Sequence, residues 1–204
     1  AGGSIGHIAG VANELLRLDS GMLVLAPEPP PMVRPEARFA PIETLRSYGV
    51  PAEANHFRFN APCERAADAL LAQERFGFIY QRLSLGNLSG VLLSRRHQLP
   101  LVLEYNGSEV WISKNWGHQL KHAALAEAIE NACLRHAHRV VTVSQVLADE
   151  LRARGVAPER IVWYPNCIDP EVFDPASHAA ARTAVRQRLG VADDELAVLF
   201  LGTF

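Results

Sequence analysis

Short apolar runs alternate with helical stretches through the middle of this chain, and that alternation leaves few folds open. Residues 78–81, 101–105, 139–143 and 161–164 read as strands, and 85–97, 119–136 and 145–154 read as helices between them. Ser144 is placed to cap the last of these helices and Gly155 to end it. Strands this apolar, separated by helices, predict an α/β fold: a doubly wound, mostly parallel sheet with helices on both faces.

The flanks extend the pattern. Residues 6–18 carry Ile8, Val11, Leu15 and Leu18 at helical spacing, Gly21 follows as a stop, and 22–26 is a short apolar strand. Residues 27–41 hold six prolines, which exclude regular structure and predict an ordered loop or a mobile flap. Residues 57–59 read as a further short strand, and 63–75 as a helix with Pro62 near its start. Beyond a proline-punctuated linker, 165–175, comes a helix over 178–189 closed by Gly190, then a buried strand over 196–203. Such a strand needs partners, so the chain reads as a piece of a larger protein with seven or so strands in its sheet.

Composition removes some functions. With a net charge of −2, the chain has no basic footprint for nucleic acid. Of 20 basic residues, only Lys114 and Lys121 are lysine. Forked recognition of phosphate would favour arginine, but a genome-wide base bias explains the preference more simply. The three cysteines, 63, 133 and 167, form neither a zinc spacing nor a disulfide framework, which fits a reducing compartment. No apolar run reaches the roughly 18 residues of a membrane span.

Doubly wound sheets bind ligands at the carboxyl ends of their strands. There this sequence gathers Arg82 and Ser84, Asn106 to Glu109, Ser144, and Asn166 to Asp169. The opening Gly2-Gly3-Ser4-Ile5-Gly6-His7 leads into the first helix and should join them. Its glycines would let backbone groups approach phosphate or a sugar hydroxyl at a helix amino end, or form a plain tight turn. The dinucleotide fingerprint is not met, in spacing or in its distal acid. Asn106 and Glu109 could bind hydroxyls or accept a proton; an Asn-Gly turn accounts for the same residues. Trp111 and Trp116 would suit a sugar face, or simply pack. His118 and His122, read as one helical turn apart, lack a third metal ligand. His136 and His138 suit a helix end, and Glu127 and Glu130 a solvated face. No basic amphipathic helix calls for a membrane.

Residues 139–173, RVVTVSQVLADELRARGVAPERIVWYPNCIDPEVF, together with the glycine opening and the Asn106-Gly107 strand end, resemble the amino-terminal domain of family-four glycosyltransferases. These have the GT-B architecture, two Rossmann-like domains facing across a cleft. The resemblance implies a Rossmann-like acceptor-side domain over 1–165, an interdomain linker and helix over 166–195, and the first strand of a carboxyl-terminal donor-binding domain over 196–204. It implies transfer of a sugar from a nucleotide-sugar donor to a sugar or lipid-linked acceptor, with retention of configuration. No cofactor or protein-bound metal is needed, since the nucleotide-sugar is the substrate.

On this resemblance Gly2, Gly3, Ser4 and Arg82 face donor phosphate or acceptor. Asn106 and Glu109 position the reacting groups, and Ser144 and Asn166 line the cleft. A cytoplasmic location follows, at the inner face of the membrane where the acceptor is a lipid. The chain alone would be inactive. It departs from the family at three points: asparagine replaces a frequent histidine at 106, Cys167 replaces a glycine, and no strand precedes the glycine opening. A nucleotide-dependent oxidoreductase or epimerase, and a non-catalytic sugar-binding module, remain the rival readings.

Overall fold

The computed structural model describes residues 3–19, 21–49, 51, 53–167 and 174–200. Within them the chain divides into two compact units, residues 1–166 and 167–204.

The first unit is organised around β4, Leu101–Tyr105, an apolar strand with one charge in it. It lies between β3, Ile79–Arg82, and β5, Arg139–Thr142, with β6, Ile161–Trp163, outside β5. All four run parallel in the order β3-β4-β5-β6, with Leu103 opposite Gln81 on one side and Val140 on the other. Parallel neighbours need crossovers, and helices supply them. They are α4 (Ser89–His97), α5 (Glu109–Asn115), α6 (Ala123–His136), and α7 (Gln145–Ala153) with a 3-10 turn, Pro158–Arg160.

Because the strand order never reverses, right-handed crossovers put these helices on one face. Leu101, Leu103, Tyr105 and Val140 point into that face and are fully buried against Val91, Cys133, Leu134 and Leu151. Each buried leucine contributes roughly 1.5–3 kcal/mol. The intervening Glu104 points to the other face, where it meets His7 of α1 (Gly3–Leu18). Helices therefore lie on both faces, as the apolar strand pattern predicts.

The expected single sheet of about seven strands is instead two sheets with six strands among the described residues. β1 (Leu23–Ala26) and β2 (Arg38–Pro41) form a separate parallel pair. Apolar patterning finds strands but not which ones pair. β2 itself lies within the proline-rich stretch, contrary to the expectation of no regular structure. Its first three residues, 38–40, keep their amide donors, and Pro41 stands only at its end. The stretch is an ordered loop: Asn13 of α1 donates to Met32 O at 3.1 Å and accepts from Arg34 N at 2.8 Å.

Residues 57–59 are not a strand. Phe57 lies in α2 (Glu53–Arg58), which leads into α3 (Asn60–Leu71) with Pro62 in its first turn. Three alternating residues were too short a pattern to outweigh Glu53 at a helix start. The expected strand at 196–203 is also absent from its described part. Residues 196–200 do not form a strand, and Leu196 is 89% exposed; 201–203 lie outside the described residues. In the second unit, α8 (Ala179–Leu189) is closed by Gly190 at φ 68°, as predicted. Among the described residues no helix is long and apolar enough to cross a membrane.

Candidate functional site

Since β3, β4, β5 and β6 are parallel, the loops after them lie at one end of the sheet. Arg82 is the last residue of β3, Asn106 follows β4, and Ser144 follows β5. Glu104 binds this rim together. Its side chain is 3% exposed. It accepts from Tyr80 Oη at 2.9 Å and from the Asn106 amide. Arg82 NH1 lies 3.2 Å away and His7 Nε2 3.0 Å away. A carboxylate this deep requires such partners, because an unpaired buried charge costs several kcal/mol. Burial first, then the Glu104 charge, pushes the Tyr80 phenol well above its ordinary value.

The structure thus brings Arg82 and Asn106 together on one carboxylate. Glu109 is close enough to share their electrostatics. Burial pushes its carboxyl above the usual carboxylate range and the Glu130 charge adds to this, against Arg82 and His56. A half-buried acid with a raised pKa and a neighbouring cation is a reasonable proton carrier. Glu109 sits in the first turn of α5, whose start is capped by Ser108 Oγ accepting from Trp111 N at 3.1 Å.

Beside this rim a half-open cleft of about 310 Å³ runs between the α2 segment and the β3–α4 loop. His56, Phe59, Ser84 and Asn87 line it. Its floor is rigid. Asn60 donates to Phe57 O at 2.9 Å and Gly86 O at 2.8 Å and accepts from Leu88 N at 2.7 Å. Gly86 has φ 70°, and a Cβ there would lie 2.5 Å from Phe57 Cδ1, so only glycine fits.

The other expected residues are placed as follows. Ser144 Oγ accepts from Leu147 N at 3.2 Å and caps α7. Asn166 is exposed at the end of the first unit. Gly2 lies outside the described residues. Gly3 and Ser4 belong to α1, so the glycine opening is helical from residue 3 rather than a loop up to Gly6. Short glycine spacing marks a permissive backbone, not its conformation. His118 and His122 do not share a helix, since α6 begins at Ala123. Glu130 is buried against Arg154 instead of facing solvent. Among the described residues no three His, Cys, Asp or Glu side chains converge as a metal site.

Sequence reasoning passed over Glu104, Tyr80 and the role of His7. One signal was there: a single carboxylate inside a wholly apolar parallel strand is costly unless something pairs with it.

Parallel strands with helical crossovers and a polar carboxyl-end rim define a Rossmann-like α/β domain. Residues 2–167 match the family model described as glycosyl transferase 4-like domain, and the chain belongs to that family. Two solved structures share the fold. Sucrose-phosphate synthase from Thermosynechococcus elongatus aligns at TM-score 0.66 and 18% identity, over 96% of this chain and 49% of its own. HepE from Anabaena, solved with UDP and glucose, aligns at TM-score 0.56 and 14% identity, over 93% and 47%. The chain spans about half the length of each. No curated protein sequence gives a significant match.

Proposed function

We infer that this chain is the acceptor-side half of an enzyme that transfers a sugar from a nucleotide-sugar to an acceptor hydroxyl with retention of configuration. The observation that carries this reading is the Glu104 hub, which holds Arg82 and Asn106 at the carboxyl ends of adjacent strands beside an acid with a raised pKa. Family membership over residues 2–167 supports it.

In transfer, the bond from the anomeric carbon to the donor diphosphate breaks and the electron pair leaves with the diphosphate. The acceptor oxygen bonds to the same carbon and releases its proton. Arg82, with Gly3 and Ser4 at the start of α1 and Gly2 preceding them in the sequence, is suited to negative charge on the donor phosphate or the acceptor. Asn106 commits one amide hydrogen to Glu104 and offers its carbonyl oxygen to a sugar hydroxyl. Glu109 orients the acceptor or takes its proton. Ser144 and Asn166 face the donor-binding domain across the interdomain cleft that the reading requires. A donor-binding domain opposite this one excludes water and favours transfer over hydrolysis, so residues 1–204 alone should not turn over. Work in the cytoplasm, at the membrane where the acceptor is a lipid, follows from this reading.

The test is mass-spectrometric detection of glycosylated product from the full-length protein, supplied with a panel of nucleotide-sugars and acceptors. Arg82→Ala should lower kcat/KM by roughly tenfold or more, measured at a temperature where the variant stays folded, since it also removes a partner of the buried Glu104 carboxylate and so lowers the melting temperature. Transfer unaffected by Arg82→Ala would remove the rim from the mechanism. Nicotinamide binding without transfer would favour an oxidoreductase instead.

A further inference from the structure

The helix α5 was not foreseen, and it changes what the segment after Asn106 can do. Trp111 and Trp116 lie at its two ends with ring centroids 5.1 Å apart, edge to face. Neither is buried: Trp111 is 52% exposed and Trp116 79%. Packing between the two rings leaves most of their surface in water, and Leu125 on α6 is exposed as well. Large aromatic side chains are normally at least half buried in a core, so this pair needs another explanation.

Charge supplies one. The only two lysines of the chain, Lys114 and Lys121, flank Trp116, and both are exposed. Residues 110–126 contain no acidic side chain, in a chain with 22 Asp and Glu. Glu53, which accepts from the backbone amides of Lys121 and His122 at 2.6 and 3.1 Å, is buried beneath the segment and not displayed on it. The segment is also held in shape. Asn115 Nδ2 donates to Trp111 O at 2.7 Å, and Trp116 N to Ile112 O at 2.8 Å. Paired indoles with lysines beside them, on a fixed segment whose nearest acids in sequence are Glu109 and Glu127 at its two edges, match the chemistry of the water–lipid boundary. Indole rings settle at headgroup depth there, and ammonium groups meet anionic phosphates.

We propose that Trp111, Trp116, Lys114 and Lys121 form a docking surface for an anionic membrane. The inference rests on the part of the functional reading that gives the enzyme a lipid-linked acceptor. α5 follows directly from the carboxyl end of β4, so the surface adjoins the rim that holds Asn106 and Glu109.

The test is sedimentation of the protein with vesicles of phosphatidylcholine alone or mixed with phosphatidylglycerol. Binding should favour the anionic vesicles and weaken as salt is raised. Lys114→Ala with Lys121→Ala should lower the anionic partition coefficient by about fivefold per lysine and leave the weak binding to phosphatidylcholine unchanged. Trp111→Ala with Trp116→Ala should lower both. All four positions are exposed, so circular dichroism should show an intact fold in each variant. No binding to anionic vesicles, or binding indifferent to both pairs of substitutions, overturns the proposal. So does a soluble dimer that dissociates on tryptophan substitution, or a raised KM for a soluble saccharide with vesicle binding unchanged. Vesicle binding without sugar transfer would defeat the transfer reading alone, and transfer without vesicle binding would defeat this one alone.

Discussion

His7 Nε2 lies 3.0 Å from Glu104 Oε1, which ties the first helix to the face of β4 opposite the main core. The same carboxylate serves Tyr80, Arg82 and Asn106, so one buried charge joins α1, β3 and the β4 end. Its removal leaves Tyr80 and Asn106 without their acceptor and takes the neighbouring charge from Arg82 and His7. Glu104→Ala should cost about 3 kcal/mol, the low end for breaking a buried ion pair, because water can reach Arg82 and His7 once the carboxylate is gone. Glu104→Gln keeps an acceptor oxygen and should cost about 1 kcal/mol. Urea unfolding of both variants checks this; parent-like stability of Glu104→Ala would show that the hub contributes nothing net.

Two glycines of similar appearance in the sequence should respond in opposite directions. Gly90 N donates to Gln81 Oε1 at 2.7 Å, and a Cβ at Gly90 would collide with that oxygen. Gln81 is buried and its amide also donates to Asn87 O at 3.2 Å, so it cannot swing away without losing both bonds. Gly90→Ala should destabilise by roughly 2–3 kcal/mol. Gly6 lies inside α1 with nothing near its Cβ position. Gly6→Ala should stabilise by roughly 0.5–1 kcal/mol through helix propensity alone. Thermal melts of the two variants give the comparison.

The legible parts of the fold were those where one strong periodicity stood between clear stops. β4 appears at the predicted residues 101–105, and α7 begins just after the predicted Ser144 cap. What failed did so for identifiable reasons. β2 is only four residues long and follows a proline cluster, and its ladder with β1 is a long-range fact that local pattern cannot carry. α5 has seven residues and none of them is buried, so it has no apolar stripe to read. At the site, Arg82 and Asn106 could be named because strand ends are predictable from strands. Glu104 could not be named as their common partner, since that requires knowing that β3 and β4 are neighbours and which face of β4 meets α1.

Glu109 provides a pH signature. Burial and the Glu130 charge raise its folded-state pKa above the carboxylate value of 4.5. A raised folded pKa means that the native state binds the proton more tightly than the unfolded chain. Its stabilising contribution is therefore complete below the unfolded value and lost as pH rises through the folded one. At neutral pH the ionised group opposes folding. Glu109→Gln should raise the melting temperature at pH 7 and change it little at pH 4. If Glu109 moves a proton in transfer, the same variant should lose activity at the pH where it gains stability. Equal effects on melting at both pH values would mean that solvent, not burial, sets the titration.

Arg154 should be the most sensitive charged residue outside the rim. It stands at the carboxyl end of α7 and bonds to Glu130 and Asn131 on α6, the latter at 2.7 Å, and to Tyr105 Oη at 3.0 Å. Tyr105 Oη in turn donates to Glu150 Oε1 at 2.5 Å. Burial, followed by that bond to Glu150, pushes the Tyr105 phenol well above its ordinary value, so it remains a donor. Arg154→Ala strands Glu130, which is buried, and should cost about 3–5 kcal/mol. Arg154→Lys keeps the charge but cannot reach three partners with one ammonium, so its loss should be intermediate. Arg154→Met combined with Glu130→Leu removes both charges and fills the space, and should recover most of the stability. A double-mutant cycle by urea unfolding measures the coupling. A coupling near zero would mean that α6 and α7 are held by their apolar contacts, with the ion pair only filling the gap between them.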